Sequence, residues 1–255
     1  MSQPNSLHLR MKQYEMRSIS YVPRRSYIIV RVDGRKFSNY TKKLNKPFDD
    51  DLKDAMVATA IELCKEFHPK MAYYQSDEIT LVFTDFDTID TQQIYDGEIQ
   101  KIVSVTASCA TAAFNRARLI QIIETAGLFV DKYIIPKPAM FDSRVFCIPD
   151  YEEVINSLIW RQKDATRNSI SMAAHALLGH SKCLNLSGEQ KQELMFQEAG
   201  VNWNDYAPVY KRGTVIAKVE QPLENGAIRN VWKAVETPIF TQDREFLYKL
   251  IPKLG

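Results

Sequence analysis

The chain has 255 residues, of which 45% are hydrophobic and 25% charged, and both values are ordinary for a globular protein. No apolar run approaches the roughly 20 residues of a membrane span, and the N-terminal stretch lacks the apolar core of a secretory signal. The four cysteines are scattered without a CxxC pair, which disfavours a zinc knuckle and favours free thiols. We therefore expect a cytoplasmic protein with no membrane segment.

The net charge of +2 is unevenly distributed along the chain. Residues 1–46 contain eleven Lys or Arg side chains and two acidic ones, for a net charge of +9, whereas residues 47–255 carry −7. A basic first segment favours a polyanionic partner, and a solvated basic face is the ordinary alternative. Within residues 35–46 the basic side chains interleave with Phe37 and Tyr40, which favours phosphate contact combined with stacking.

Hydrophobic periodicity predicts an α+β fold in the first 150 residues. Helical patterns cover 6–20, 49–67 and 98–123, and strand-like runs cover 27–32, 71–75, 79–84 and 139–148. After the N-terminal helix the order is strand, helix, strand, strand, helix, strand, which is the split βαββαβ, ferredoxin-like arrangement of an antiparallel sheet. We therefore divide the chain into a palm-like catalytic domain, 1–150, and a helical C-terminal extension, 151–255, packed on it as one unit.

Two acidic groups stand at the ends of predicted strands. Asp33 precedes Gly34 at the end of the first strand, and Asp77 lies between the second and third strands. Each motif, taken singly, is also a common hairpin signal. The basic segment after Gly34 offers no obvious return strand, however, and the βαββαβ order places the end of the first strand beside the second hairpin. We therefore expect Asp33 and Asp77 to converge.

Paired carboxylates on neighbouring strands are the arrangement of nucleotide-polymerase palm domains. Such a pair binds two divalent ions about 4 Å apart, which activate a hydroxyl and stabilise the leaving pyrophosphate. Mg²⁺ suits the site because it takes few carboxylates and completes its shell with water and substrate phosphates. The residues predict nucleotidyl transfer with two Mg²⁺ ions.

Several motifs occur together in an order that resembles the tRNA-His guanylyltransferase family and its Thg1-like proteins, the 3′-to-5′ nucleotide-adding enzymes. The matching pieces are Arg31 to Phe37 (RVDGRKF), Tyr40 to Lys42 (YTK), Lys46-Pro47 before Asp49, Ser76 to Glu78 (SDE), Lys101, Phe141 to Arg144 (FDSR), Trp160 to Asn168 (WRQKDATRN) and Lys211 to Thr214 (KRGT). Each piece alone is common, whereas their joint order and spacing make chance unlikely as an explanation.

The resemblance implies a role for each matching residue. The metal ligands would be Asp33, Asp77 and the carbonyl of Gly34, and the catalytic set would add Glu78, Lys42 and Lys101. Nucleotide-binding positions would be Gly34, Arg35, Lys36, Phe37, Ser76, Asn168 and Arg31. RNA-binding positions would be Arg144, Arg161, Lys211 and Arg212. It also implies ATP, GTP and other nucleoside triphosphates as substrates, tRNA as the partner, and a homotetramer.

Two departures from the family pattern bear on the substrate. The guanylyltransferases carry a histidine in a His-Ile-Asn-Asn-type run, and Thr166 occupies its place here. Glu98 stands where a basic residue is expected. The run from Arg161 to Ser169 resembles the bacterial and phage Thg1-like branch, which favours template-dependent repair of 5′-truncated tRNA over tRNA-His guanylylation.

Other interpretations of the same residues remain open. Arg161, Asp164 and Asn168 share one helical face and could form a surface ion-pair network rather than a binding site. A palm-fold nucleotide cyclase would share the carboxylates, but the basic first segment and the 160–168 run disfavour it. A non-catalytic protein that binds RNA 5′ ends is disfavoured by the intact Asp33 and Asp77.

Overall fold

The computed structural model describes residues 6–126, 137–222 and 226–254. The strands are β1 Tyr27–Gly34, β2 Met71–Gln75, β3 Glu78–Phe83, β4 Phe141–Ile148, β5 Thr214–Pro222 and β6 Ile228–Val235. The helices are α1 Leu7–Met16, α2 Phe37–Tyr40, α3 Asp50–Phe67, α4 Ile99–Ala126, α5 Tyr151–Leu178, α6 Gly188–Ala199, α7 Pro208–Arg212 and α8 Glu245–Leu250. Within the described residues, no helix is long and apolar enough to cross a bilayer.

The six strands form one antiparallel sheet in the order β4-β1-β3-β2-β5-β6. Its first four strands and the helices α3 and α4 confirm the predicted βαββαβ, ferredoxin-like palm. The central strands are buried on both faces, which explains their nearly continuous apolar sequences. The antiparallel pairing of β1 with β3 sets Asp33 opposite Glu78, and pairing with β4 sets Asp33 opposite Asp142.

Side chains alternate between two apolar layers, one on each face of the sheet. Val30 and Val32 face α3 and α4, where they join Met56, Leu63 and Phe114. The odd-numbered residues of β1 face α5 and α8, in a second cluster that includes Tyr27, Ile29, Tyr73, Leu158 and Leu247. Because Asp33 shares the odd-numbered register, its side chain belongs to the α5 face of the sheet.

Capping residues set the starts of the longer helices. Asp49 accepts a hydrogen bond from Leu52 N at the start of α3, and Asp50 and Asp51 follow in the first turn, where the helix dipole favours negative charge. Ser187 and Gln190 form a capping box at the start of α6.

The chain after residue 150 is helical as far as Arg212, as predicted, and then adds two strands that the sequence analysis did not predict. β5 pairs with β2 and with β6, so this part of the chain extends the palm sheet. Thr214 to Ala217 are buried, whereas the rest of β5 and most of β6 are largely exposed, so neither strand shows a long alternating pattern. The last helix of the described residues is α8.

Candidate active site

The end of β1 meets the turn between β2 and β3. Gly34 N donates a hydrogen bond of 3.0 Å to the backbone oxygen of Asp77, which ties the two predicted metal-binding segments together. Ser76 adopts a left-handed backbone conformation, with φ of 52°, to make the tight turn that presents Asp77. The structure thus brings Asp33 and Asp77 together at one end of the sheet.

The two carboxylates influence each other electrostatically. Burial raises the pKa of Asp77, and the nearby charge of Asp33 raises it further, while a hydrogen bond from Ser76 opposes the rise, so that the pKa is about 6. Burial is the main cause of the raised pKa of Asp77, and the like charge of Asp33 adds to it. A bound cation would favour the ionised form of both groups.

The donor set fits Mg²⁺. Within residues 6–126, 137–222 and 226–254, no group of three or more His, Cys, Asp or Glu side chains is arranged to hold a metal ion. The predicted ligands, Asp33, Asp77 and the Gly34 carbonyl, would instead supply a few hard oxygen atoms. Mg²⁺ is commonly held by one or two carboxylates and fills its remaining positions with water and substrate phosphates.

Gly34 is required because an aromatic ring lies against it. A Cβ at this position would be 2.3 Å from Cδ2 of Phe37, well inside van der Waals contact. Phe37 is buried and packs against Phe114 and Phe141, with ring centroids 5.5 and 5.4 Å apart. The ring predicted to contact nucleotide therefore mainly closes the core beneath the end of β1.

Glu78 lies opposite Asp33 across the β1–β3 pair, but its carboxylate is held in a largely buried ion-pair network. Arg161 of α5 makes two hydrogen bonds to Glu78, of 2.9 and 2.6 Å, and a third of 3.1 Å to Asp164. Arg31 approaches Glu78 at 3.8 Å, and Asp164 also accepts from Arg167. Arg161 was predicted to contact RNA, but its side chain is only 12% exposed and its donors face these two carboxylates.

Arg144 lies on the other side of Asp33. Its guanidinium is 3.9 Å from Asp33 and 3.7 Å from Asp142, and half of the side chain is exposed. Since these contacts are longer than hydrogen bonds, Arg144 lowers the local negative charge without closing the site.

A cavity of about 420 Å³ opens beside Asp77, on the side of β2. Four of the predicted site residues line it, namely Phe37, Ser76, Asp77 and Asn168. Its far wall contains the stacked rings of Phe48 and Tyr210, with centroids 4.7 Å apart and planes 9° apart. Sequence analysis missed both aromatic residues, although Phe48 directly follows Lys46-Pro47 and Tyr210 directly precedes the KRGT motif.

Several basic residues that were predicted to bind nucleotide or phosphate lie outside this cavity. Lys42, Arg35 and Lys36 are exposed on the segment after β1. Lys101 pairs with Glu98 at 3.4 Å in the first turn of α4. Thr111 marks the part of α4 that lies near the end of β1, because its hydroxyl accepts a hydrogen bond from Phe141 N, and Phe141 is the strand partner of Gly34. Lys101 is ten residues before Thr111, which corresponds to about 15 Å along the helix axis. The structure therefore does not bring Lys101 to the carboxylates of its own chain.

Lys211 and Arg212 line a second cavity, also of about 420 Å³, between α5 and α7. Lys211 donates to the backbone oxygen of Asn204 and lies 5.7 Å from the ring centroid of Trp203. Arg212 donates to the backbone oxygen of Thr237. Thr166, at the position of the family's histidine, lines the same cavity, so this residue is not in contact with the carboxylates.

A ferredoxin-like sheet with two carboxylates at the ends of neighbouring strands, beside a nucleotide-sized cavity, defines a palm-type nucleotidyltransferase. The family model described as "Thg1: tRNAHis guanylyltransferase" matches residues 8–149. The chain therefore belongs to the tRNA-His guanylyltransferase (Thg1) family of 3′-to-5′ polymerases.

Individual proteins agree with the family assignment. An uncharacterized protein of Acanthamoeba polyphaga mimivirus is 31% identical over 233 residues, covering 87% of this chain and 79% of its own. A solved bacterial Thg1-like protein in complex with ATP is 39% identical, with a TM-score of 0.83, and the match covers 96% of this chain and 99% of that one. A bacterial Thg1-like protein in complex with GTP is 38% identical, with a TM-score of 0.78 over 94% and 96% of the two chains.

Proposed function

We propose that the protein repairs 5′-truncated tRNA by template-dependent addition of nucleotides at the 5′ end. The observation that carries the proposal is the convergence of Asp33 and Asp77 beside a 420 Å³ cavity. Two similar solved structures of bacterial Thg1-like protein contain ATP and GTP, and both nucleotides are substrates in this proposal.

The reaction has two parts at one centre. ATP adenylylates the 5′-monophosphate of the RNA with loss of pyrophosphate, and the 3′-hydroxyl of an incoming nucleoside triphosphate then attacks the activated phosphate with loss of AMP. An RNA end that already carries a triphosphate needs no activation.

Asp33, Asp77 and the Gly34 carbonyl would hold two Mg²⁺ ions, which supply charge stabilisation at the transferring phosphate and lower the pKa of the attacking hydroxyl. Asn168 and Ser76 face the cavity and would orient the nucleotide. The Phe48 and Tyr210 rings offer an apolar wall for a nucleobase. Lys42, on the exposed segment after α2, would contact triphosphate.

Base choice would come from pairing with the opposing strand. Thr166 replaces the family's histidine, so we expect no dependence on a tRNA-His anticodon. Watson–Crick pairing supplies discrimination without dedicated protein contacts to the added base. Basic residues of the segment 35–46 would add sequence-independent backbone affinity that falls steeply with salt.

The test is incubation of a 5′-labelled tRNA that lacks its first nucleotide with ATP, all four nucleoside triphosphates and Mg²⁺. The opposing acceptor-strand nucleotide is varied, and the added base is sequenced. We expect the complement of each opposing base, on tRNAs of any identity. Addition of guanosine whatever stands opposite, or only on tRNA-His, would replace the repair function with tRNA-His guanylylation.

The proposal includes a homotetramer in which RNA spans subunits. Light scattering on the purified protein measures the assembly directly, and a monomer at micromolar concentration would contradict it.

A further inference from the structure

The second cavity, which α5 and α7 line together with Trp203 and the segment after β6, contains none of the proposed catalytic or nucleotide-binding residues. On α5, Ala165 lines the cavity beside Asp77, and Thr166 lines the second cavity. On α7, Tyr210 lines the cavity beside Asp77, and Lys211 lines the second cavity. The two cavities have no lining residue in common, so a ligand in the second cavity would not displace a substrate.

The lining of the second cavity is basic. Its charged side chains are Lys163, Lys211 and Arg212, and no Asp or Glu lines it among the described residues. In the described part of the chain, none of these three cations lies within 4.0 Å of a carboxylate oxygen. Asp164, the neighbour of Lys163 in the chain, is instead bonded to two arginines of α5. The cavity therefore concentrates positive charge that the protein does not neutralise.

Neutral groups hold two of these cations in place. Lys211 donates to the backbone oxygen of Asn204, and its ammonium lies 5.7 Å from the ring centroid of Trp203. Arg212 Nε donates a hydrogen bond of 2.8 Å to the backbone oxygen of Thr237. A backbone carbonyl orients a cation without cancelling its charge, so the charge of both side chains remains available to an anion.

The walls of the second cavity are fixed by buried hydrogen bonds. The side-chain amide of Gln162 donates to the backbone oxygen of Pro238 at 2.9 Å and accepts from Phe240 N at 2.8 Å, which ties the segment after β6 to α5. The indole N–H of Trp203 donates to the hydroxyl of Ser169 at 3.1 Å. A cavity with fixed walls binds a ligand at a low cost in ordering.

We propose that the second cavity binds a phosphate-bearing ligand through Lys163, Lys211 and Arg212. Lysine and arginine form strong charge-assisted hydrogen bonds to phosphate, and the hydroxyls of Thr166 and Thr241 supply neutral donors in the same lining. Three cations around one cavity favour an anion that concentrates several negative charges over a single carboxylate. A free polyphosphate chain and neighbouring phosphates of an RNA backbone share this chemistry. The site goes beyond the proposed function, since it needs no residue of the catalytic set.

The experiment is fluorine NMR on the full chain labelled with fluorotryptophan, in a buffer without divalent cations. Sodium tripolyphosphate and a 5′-monophosphorylated RNA hairpin are titrated separately. The Trp203 resonance reports on the second cavity, and Trp232, in the apolar layer of α3 and α4, is the internal reference. The resonances are assigned by single Trp→Phe substitutions. The variants are Lys163→Gln and Lys163→Glu, with Lys233→Gln as the control, because both lysines are exposed and Lys233 lies on β6.

We expect a saturable shift of the Trp203 resonance and none of Trp232. The affinity should fall about fivefold in Lys163→Gln and more than about tenfold in Lys163→Glu, because a phosphate contact is lost and then replaced by repulsion. Lys233→Gln should stay within about twofold of the wild type.

A shift with tripolyphosphate supports the site and shows that a free polyphosphate suffices, and a shift with the hairpin alone supports it with the RNA backbone as the ligand. No Trp203 shift with either probe, or an unchanged affinity in both folded Lys163 variants, would overturn the proposal. Because the shift needs no turnover, a protein that binds a probe here but adds no nucleotide contradicts the proposed function alone.

Discussion

Two groups of carboxylates lie within one strand spacing of each other and have different surroundings. Glu78 is buried and Asp164 is half-buried, and both are bonded to Arg161, with Arg31 and Arg167 nearby. Asp33 and Asp77 have no cation at hydrogen-bond distance among the described residues, and the closest guanidinium to Asp33 is 3.9 Å away. The protein's own arginines therefore neutralise the carboxylates of Glu78 and Asp164, whereas those of Asp33 and Asp77 are left available to an external cation.

This difference separates structural from chemical roles. Glu78 was predicted to be part of the catalytic set, and its ion pair with Arg161 gives it a clear structural function: it fastens α5 to the end of β3. The raised pKa of Asp77 is the electrostatic signature of an incompletely compensated site.

The largest effect should come from removing an open carboxylate. Asp33→Ala and Asp77→Ala should each lower the rate of nucleotide addition by at least about a thousandfold, because several kcal/mol of charge stabilisation is lost. Single-turnover assays at saturating Mg²⁺ measure both steps. Asp90→Ala is the control, since Asp90 is exposed in the loop after β3. A rate near that of the wild type in either variant would exclude the palm assignment.

Breaking the buried network should act on stability. Arg161→Met should lower the free energy of unfolding by about 3 kcal/mol, because Glu78 is left buried without its partner. Urea denaturation measures the change. Arg167→Met removes an exposed partner of Asp164 and should cost less than about 1 kcal/mol. Equal stability of the two variants would refute the structural role assigned to Arg161.

Gly34→Ala tests how tightly the end of β1 is packed. The added Cβ would overlap the Phe37 ring, so we expect a loss of about 2 kcal/mol together with reduced activity. Gly188→Ala is the matched control, because its Cβ would meet Ile170 at an ordinary 3.7 Å. Phe37→Leu combined with Gly34→Ala should recover part of the stability, and no recovery would argue against the overlap as the cause.

The smallest effects should separate the two predicted phosphate-binding lysines. Lys42→Ala should raise the nucleotide KM about tenfold, in keeping with the loss of one charge-assisted phosphate contact. Lys101→Ala should change the nucleotide KM less than threefold in a single chain. Lys101 pairs with Glu98 and lies about 15 Å along α4 from Thr111, the residue near the end of β1. The reverse order of effects would mean that Lys101 reaches phosphate in another way, such as across a subunit boundary.

The convergence of Asp33 with Asp77 could be predicted from the sequence, because the order of helices and strands indicates the βαββαβ topology and that topology brings the two strand ends together. Glu78 and Arg161 lie 83 residues apart in the sequence, so neither segment alone could predict that they form an ion pair. The strands β5 and β6 were missed because only Thr214 to Ala217 form a continuous buried run, and the pairing with β2 that helps to bury them is a tertiary contact.

The central claim is that the cation site consists of Asp33 and Asp77 and excludes Glu78. Mn²⁺ binding followed by electron paramagnetic resonance, with a non-hydrolysable ATP analogue present, measures this directly in the wild type, Asp33→Asn, Asp77→Asn and Glu78→Gln. The account predicts at least tenfold weaker Mn²⁺ binding in both aspartate variants and affinity within about threefold of wild type in Glu78→Gln, provided that each variant is folded. Unchanged Mn²⁺ affinity in Asp33→Asn and Asp77→Asn, or its loss in folded Glu78→Gln alone, would contradict it.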